Sequence, residues 1–177
     1  ITKETSACFE PALDYVALKF PRWDLQKFRQ VSTQLGSEMK SVGEVMSLGK
    51  SFEEVLQNAI RMLDVGLPGF TGHDLSFEDL DKELAQPTDK RMFAVAIALQ
   101  KGYSVDKIHQ LTKITPWFLY KMKNIIDVEK KVSGKKLSEI DSSSMREAKM
   151  NGFSDYQIGL LTSSLELEVR AYRKKLN

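Results

Sequence analysis

The string KGYSVDKIHQLT at 101–112 returns at an offset of 50 residues as NGFSDYQIGLLT at 151–162, with Gly, an aromatic, Ser, Ile, Leu and Thr in the same spacing. In each copy a glycine (Gly102, Gly152) can close the preceding helix, and an aromatic (Tyr103, Phe153) can staple the next one. A serine (Ser104, Ser154) caps that helix, and Ile108 with Leu111, or Ile158 with Leu161, faces inward. A turn at 112–115 or 162–164 and a longer helix complete each copy, so 101–126 and 151–176 form two helix-turn-helix-like units. A chain that spends much of its length on two such units is committed to a mainly α fold.

The same 3.6-residue rhythm begins at Ser51, where Glu54 three residues later makes a capping box. Phe52, Val55, Leu56, Ala59, Ile60 and Leu63 put one apolar face on that helix, which Gly66 ends. A loop with Pro68, Gly69 and Gly72 follows, then helices over roughly 77–85, 88–101 and 104–112. The helix from Thr115 to about Val132 carries Pro116 at its first position, where the missing amide costs nothing. Its expected buried stripe is Phe118, Met122, Ile125 or Ile126, and Val132, broadened by Trp117 and Tyr120. Helices over about 138–151, 154–161 and 163–175 complete the pattern, and no strand signal follows about residue 50.

Residues 5–50 behave differently. Tyr15, Val16, Leu18 and Phe20 precede a Pro-Arg-Trp stop at 21–23, which predicts a strand. Gly43 and Gly49 inside MKSVGEVMSLGK at 39–50 predict a second strand with a bulge or a close backbone approach. The region is too small to fold alone, so the expected architecture is a helical bundle with a small N-terminal β-containing remnant. Ile1 with no initiator Met reads as a cut inside a longer protein.

Composition excludes several function classes. The 26 Lys and Arg against 24 Asp and Glu leave a net charge of +2, too small a field to steer an anionic polymer. The competing class, a helix-turn-helix protein that binds nucleic acid, also lacks a basic recognition helix. One second helix opens on Trp117, Phe118, Leu119 and Tyr120, and the other on Leu165, Glu166, Leu167 and Glu168. The basic end, Arg170, Arg173, Lys174 and Lys175, complements a helix dipole. No apolar run approaches the roughly 20 residues that span a bilayer, and a single cysteine, Cys8, fits a reducing, cytoplasmic setting.

No residue set has the pattern of a catalytic or metal centre. His73 and His109 stand 36 positions apart with no nucleophile beside either, and Cys8 suits a small buried apolar side chain. Glu53, Glu54, Glu78, Asp79, Asp81 and Glu83 sit in first turns, where they complement the dipole. Lys40 and Glu44 flank Gly43 in an apolar stretch, and a charge so placed needs either an ion-pair partner or a wet cavity.

The strings SACFEPALDYVALKFPRW, MKSVGEVMSLGK, FEEVLQNAIRML, WFLYKM and GFSDYQI, in this order along the whole chain, resemble the large subunit of carbamoyl phosphate synthetase. That family carries two homologous halves, each with an ATP-grasp domain, separated by a helical oligomerisation domain. The resemblance implies that residues 1–50 are the end of the first ATP-grasp domain and 51–177 the helical domain. It further implies a parent enzyme that makes carbamoyl phosphate from bicarbonate, glutamine-derived ammonia and two ATP, with Mg2+ or Mn2+ and K+. Expected partners are the rest of the large subunit, a small glutamine amidotransferase subunit or domain, and further copies of the chain, with no nucleic acid and no membrane. The family's nucleotide and metal ligands precede Ile1, so the fragment itself should hold no cofactor and catalyse nothing. Glu44, with Lys40 as the lesser candidate, becomes a residue that lines the family's internal carbamate passage. Thr115-Pro116 before Trp117, and Lys50, depart from residues frequent in the family.

Overall fold

A computed structural model describes residues 14–27 and 30–176; Cys8 and the start of the first strand-rich region lie outside them. Among the described residues the order is two strands, β1 (Val16–Arg22) and β2 (Gly43–Gly49), and then eight helices. These are α1 (Phe52–Met62), α2 (Leu80–Ala85), α3 (Arg91–Gln100), α4 (Val105–Thr112), α5 (Pro116–Val132), α6 (Ser142–Met150), α7 (Asp155–Thr162) and α8 (Glu166–Lys175). The fold is mainly α with a small β-hairpin, as the change of period at Ser51 predicts.

β1 and β2 pair antiparallel from Val16 opposite Gly49 to Arg22 opposite Gly43. The pairing is one-for-one, so the expected bulge is absent from the described strands. At Gly49 the close approach is by side chains rather than backbone: a Cβ would lie 2.7 Å from Glu54 Oε2 and 2.9 Å from Val55 Cγ1, both at the start of α1. Pro21 does not stop β1 either: it pairs in register with Glu44, since the sheet has two strands among the described residues and proline is tolerated on an edge.

Five of the eight helix starts are fixed by a local side-chain bond. Ser51, Asp79, Ser104, Asp141 and Ser154 accept from the amides of Glu54, Lys82, Lys107, Ser144 and Gln157. The Glu54 carboxylate accepts not from Ser51 but from the Lys50 amide at 2.8 Å, one residue outside the expected box. α1 ends at Met62, ahead of Gly66, because Asp64 already turns left-handed at φ 51°.

The repeat is real in three dimensions and longer than its signature. Tyr103 N donates to Ala98 O and Phe153 N to Ala148 O, closing α3 and α6 in the same way at Gly102 and Gly152. Thr112 and Thr162 each return a hydroxyl bond to the carbonyl four residues back, and Lys113 and Ser163 both cap with positive φ. The units are therefore α3-α4-α5 and α6-α7-α8. They share one core that includes Leu56, Ile60, Ile108, Leu119, Ile125, Ile158 and Val169.

The phase of α5 differs from expectation. Leu119, fully buried, leads its inward stripe, followed by Met122, Ile125, Ile126 and Val132, whereas Trp117, Phe118 and Tyr120 are 53%, 40% and 55% exposed. Four consecutive apolar residues give no phase by themselves; packing against the neighbouring helices selects Leu119.

Candidate functional site

The surplus of apolar surface at the start of α5 is the feature most unlike an ordinary exterior. Phe52, at the start of α1, meets Trp117 edge-on with ring centroids 5.7 Å apart and Phe118 at 5.4 Å, while Trp117 and Phe118 stand at 87° to each other, 5.0 Å apart. Such edge-to-face contacts fix the ring planes. The result is a rigid aromatic shelf, with Tyr120 one turn further along and Lys121 Nζ 5.6 Å from the Trp117 ring centre. Beside it an apolar cleft of about 390 Å³ runs between β1, α1 and residues 87–92, bordered by Leu18, Trp23, Phe52, Met92 and Phe118.

The shelf is anchored by a buried charge. Glu53 lies in the first turn of α1 as expected and is also 4% exposed, where its Oε1 accepts from Asn124 Nδ2 at 2.8 Å and lies 3.4 Å from Lys121 Nζ. This clip ties the first turn of α1 to the middle of α5.

A second polar group closes the second unit. Asp155 is held by Lys149 Nζ at 2.9 Å and Arg173 Nε at 2.8 Å, joining α6, α7 and α8. Burial pushes its carboxyl up, but the two cations outweigh burial and keep it below the ordinary value of 3.8. Glu129, on the buried side of α5, is pushed above 4.5 chiefly by burial, offset only in part by the 2.8 Å bond from Gln100 Nε2.

The structure does not bring Lys40 and Glu44 into one site. Glu44 pairs across the sheet with Lys19 at 2.7 Å, both side chains more than half exposed. Lys40 Nζ donates to the carbonyls of Ser32 and Gln34 at 3.3 and 2.8 Å. His109 Nδ1 lies 2.7 Å from the Ile114 carbonyl, so it ties down the turn before α5. His73 packs edge-on against Phe93 at 5.3 Å, and burial lowers its pKa below 6.5. Among the described residues no group of three or more His, Cys, Asp or Glu side chains could hold a metal ion. Nor is any described helix long and apolar enough to cross a membrane.

Sequence reasoning missed Gln57, Gln157 and Arg61, which form the polar seam between α1 and α7. Gln157 was visible as the third residue after the Ser154 cap; its distant partners were not.

Taken together, the duplicated helical unit, its β-hairpin and its outward-facing aromatic shelf define a mainly α domain whose most distinctive chemistry lies on its surface. A sequence model described as "Carbamoyl-phosphate synthetase large chain, oligomerisation domain" matches residues 44–177. The chain is 52% identical over 99% of its length to multifunctional protein pyr1-3 of Dictyostelium discoideum, of which it covers 8%. It is 51% identical over 100% of its length to the mitochondrial carbamoyl phosphate synthase arginine-specific large chain of Schizosaccharomyces pombe, covering 15%. To multifunctional protein CAD of Squalus acanthias it is 48% identical over 99% of its length, covering 8%. The chain belongs to the carbamoyl-phosphate synthetase large-chain family, and it spans between 8% and 15% of the length of these relatives.

Proposed function

We propose that this chain is the segment of a carbamoyl phosphate synthetase that joins the two synthetase halves and carries self-association, and that it is inactive when isolated. The observation that carries this reading is the aromatic shelf, where Trp117 and Tyr120 stand 53% and 55% exposed on a face held rigid by Phe52 and the Glu53 clip. Exposed aromatics fixed in place are the side chains that anchor protein interfaces.

On this reading residues 1–50 end the first ATP-grasp domain and 51–177 form the helical domain. The sheet has two strands among the described residues and packs on α1, yet Met46 and Leu48 are still 61% and 59% exposed on β2. That supports a larger sheet or partner surface around the hairpin. The parent would be a cytoplasmic ligase using ATP, bicarbonate and ammonia released by a glutamine amidotransferase. Glu44 and Lys40 would line its carbamate passage. Reversing the charge of Glu44 in the full enzyme should then uncouple ATP use from carbamoyl phosphate formation, and unchanged coupling would remove it from that role.

The test of the scaffold reading is sedimentation equilibrium of the 177-residue chain over a concentration series. A discrete dimer or larger species is expected, persisting when Met46 and Leu48 are made polar to exclude pairing through the hairpin. A monomer at high concentration would overturn self-association.

A further inference from the structure

The two units provide an internal control on what the scaffold needs. At the 50-residue offset, Asp106 matches Tyr156, Gln110 matches Leu160, Thr115 matches Leu165 and Trp117 matches Leu167, and all eight positions are exposed. The first unit shows that this architecture accepts polar residues at three of the four. The second unit nevertheless fills all four with apolar side chains, and Tyr156, Leu160, Leu165 and Leu167 are 51%, 47%, 71% and 75% exposed. Folding does not explain that surplus, because the same fold is built without it 50 positions earlier.

Charge distinguishes the two faces. Beside Leu165 and Leu167 stand Glu166 and Glu168, and neither makes an ion pair among the described residues; Glu168 only accepts the Leu165 amide at 2.9 Å. Beside Trp117 stand Lys113, exposed in the turn before α5 with no ion pair among the described residues, and Lys121, whose link to Glu53 is a long 3.4 Å. One helix start is therefore leucine-rich and acidic, the other aromatic and basic.

We propose that the start of α8 in one copy of the chain docks on the start of α5 in a second copy. Leu167 would pack on the Trp117 shelf, and Glu166 would face Lys113. A twofold dimer makes this contact twice, since each copy offers both faces and residue i of one meets residue j of the other in both directions. The inference rests on the self-association proposed above and names the surfaces that carry it.

The experiment uses two variants of the full chain, Trp117→Ser and Leu167→Ser, each altering an exposed side chain, with circular dichroism to confirm folding. Each alone should raise the apparent dissociation constant of self-association by about tenfold or more, as loss of an anchor residue does. Mixed one to one, they should recover association, because the mixed dimer keeps one contact with both Trp117 and Leu167 intact. A merely misfolded variant would gain nothing from the mixture. Wild-type association that either variant leaves unchanged, or a mixture no tighter than its components, would overturn this pairing while leaving self-association standing. A monomeric wild type would overturn both.

Discussion

Gln57 on α1 and Gln157 on α7 meet side chain to side chain in the core: Gln157 Nε2 donates to Gln57 Oε1 at 2.9 Å across a sequence separation of 100. Every polar side-chain atom of both residues has a partner. Gln57 Oε1 also accepts the Phe70 amide at 3.1 Å and its Nε2 donates to the Asn151 carbonyl at 3.3 Å, while Gln157 Oε1 accepts from Arg61 at 2.9 Å and from the Ser154 amide at 3.1 Å. Removing one partner strands several buried groups. Gln157→Leu should cost about 2–4 kcal/mol, measured as a lower urea midpoint at unchanged slope. A loss below about 0.5 kcal/mol, the size of an ordinary surface effect, would show that the seam contributes little.

The two repeat glycines should respond unequally to the same substitution. Gly102 and Gly152 have φ of +84° and +82°, so alanine strains both. A Cβ on Gly102 meets nothing within 4 Å, but on Gly152 it would lie 2.9 Å from the Glu54 Cα, because unit two docks backbone to backbone on α1. Gly102→Ala should cost about 1 kcal/mol and Gly152→Ala about 2 kcal/mol or more. Equal midpoints in thermal unfolding would contradict this docking.

Asp155 sets an acid limit. Its folded pKa lies below 3.8, so the unfolded chain binds this proton first. The stabilisation is then present above 3.8 and is lost as pH falls through the folded value. Asp155→Asn should remove about 1–3 kcal/mol at neutral pH and flatten that part of the stability profile. A variant whose profile between neutral pH and pH 3 parallels the wild type would remove Asp155 from this role.

Glu129 acts with the opposite sign. Its folded pKa is raised above 4.5, so its contribution is most favourable below 4.5 and is lost as pH rises through the folded value. Glu129→Gln, which can still accept from Gln100, should therefore stabilise the chain at pH 7 and have little effect at pH 4. Stability of the two proteins, followed by denaturant titration at both pH values, should diverge only at the higher one.

The mainly α fold, the duplicated unit and nearly every helix start were determined by the sequence alone, for a physical reason. A capping serine such as Ser104 satisfies an amide three residues away, and a closing glycine such as Gly102 needs only its own backbone freedom. These signals complete themselves within one turn, so they survive in a linear string. Three things were decided by tertiary structure: which of Trp117, Phe118, Leu119 and Tyr120 turns inward, that Glu53 is buried against α5, and that Gln57 finds Gln157. Each depends on which distant segment arrives at that face, and apolar character or a polar side chain carries no record of its partner. The candidate surface fell between the two. Apart from Phe52 on α1, its residues were visible in the repeat, but their exposure was settled only when α5 and α8 took their phase from the shared core.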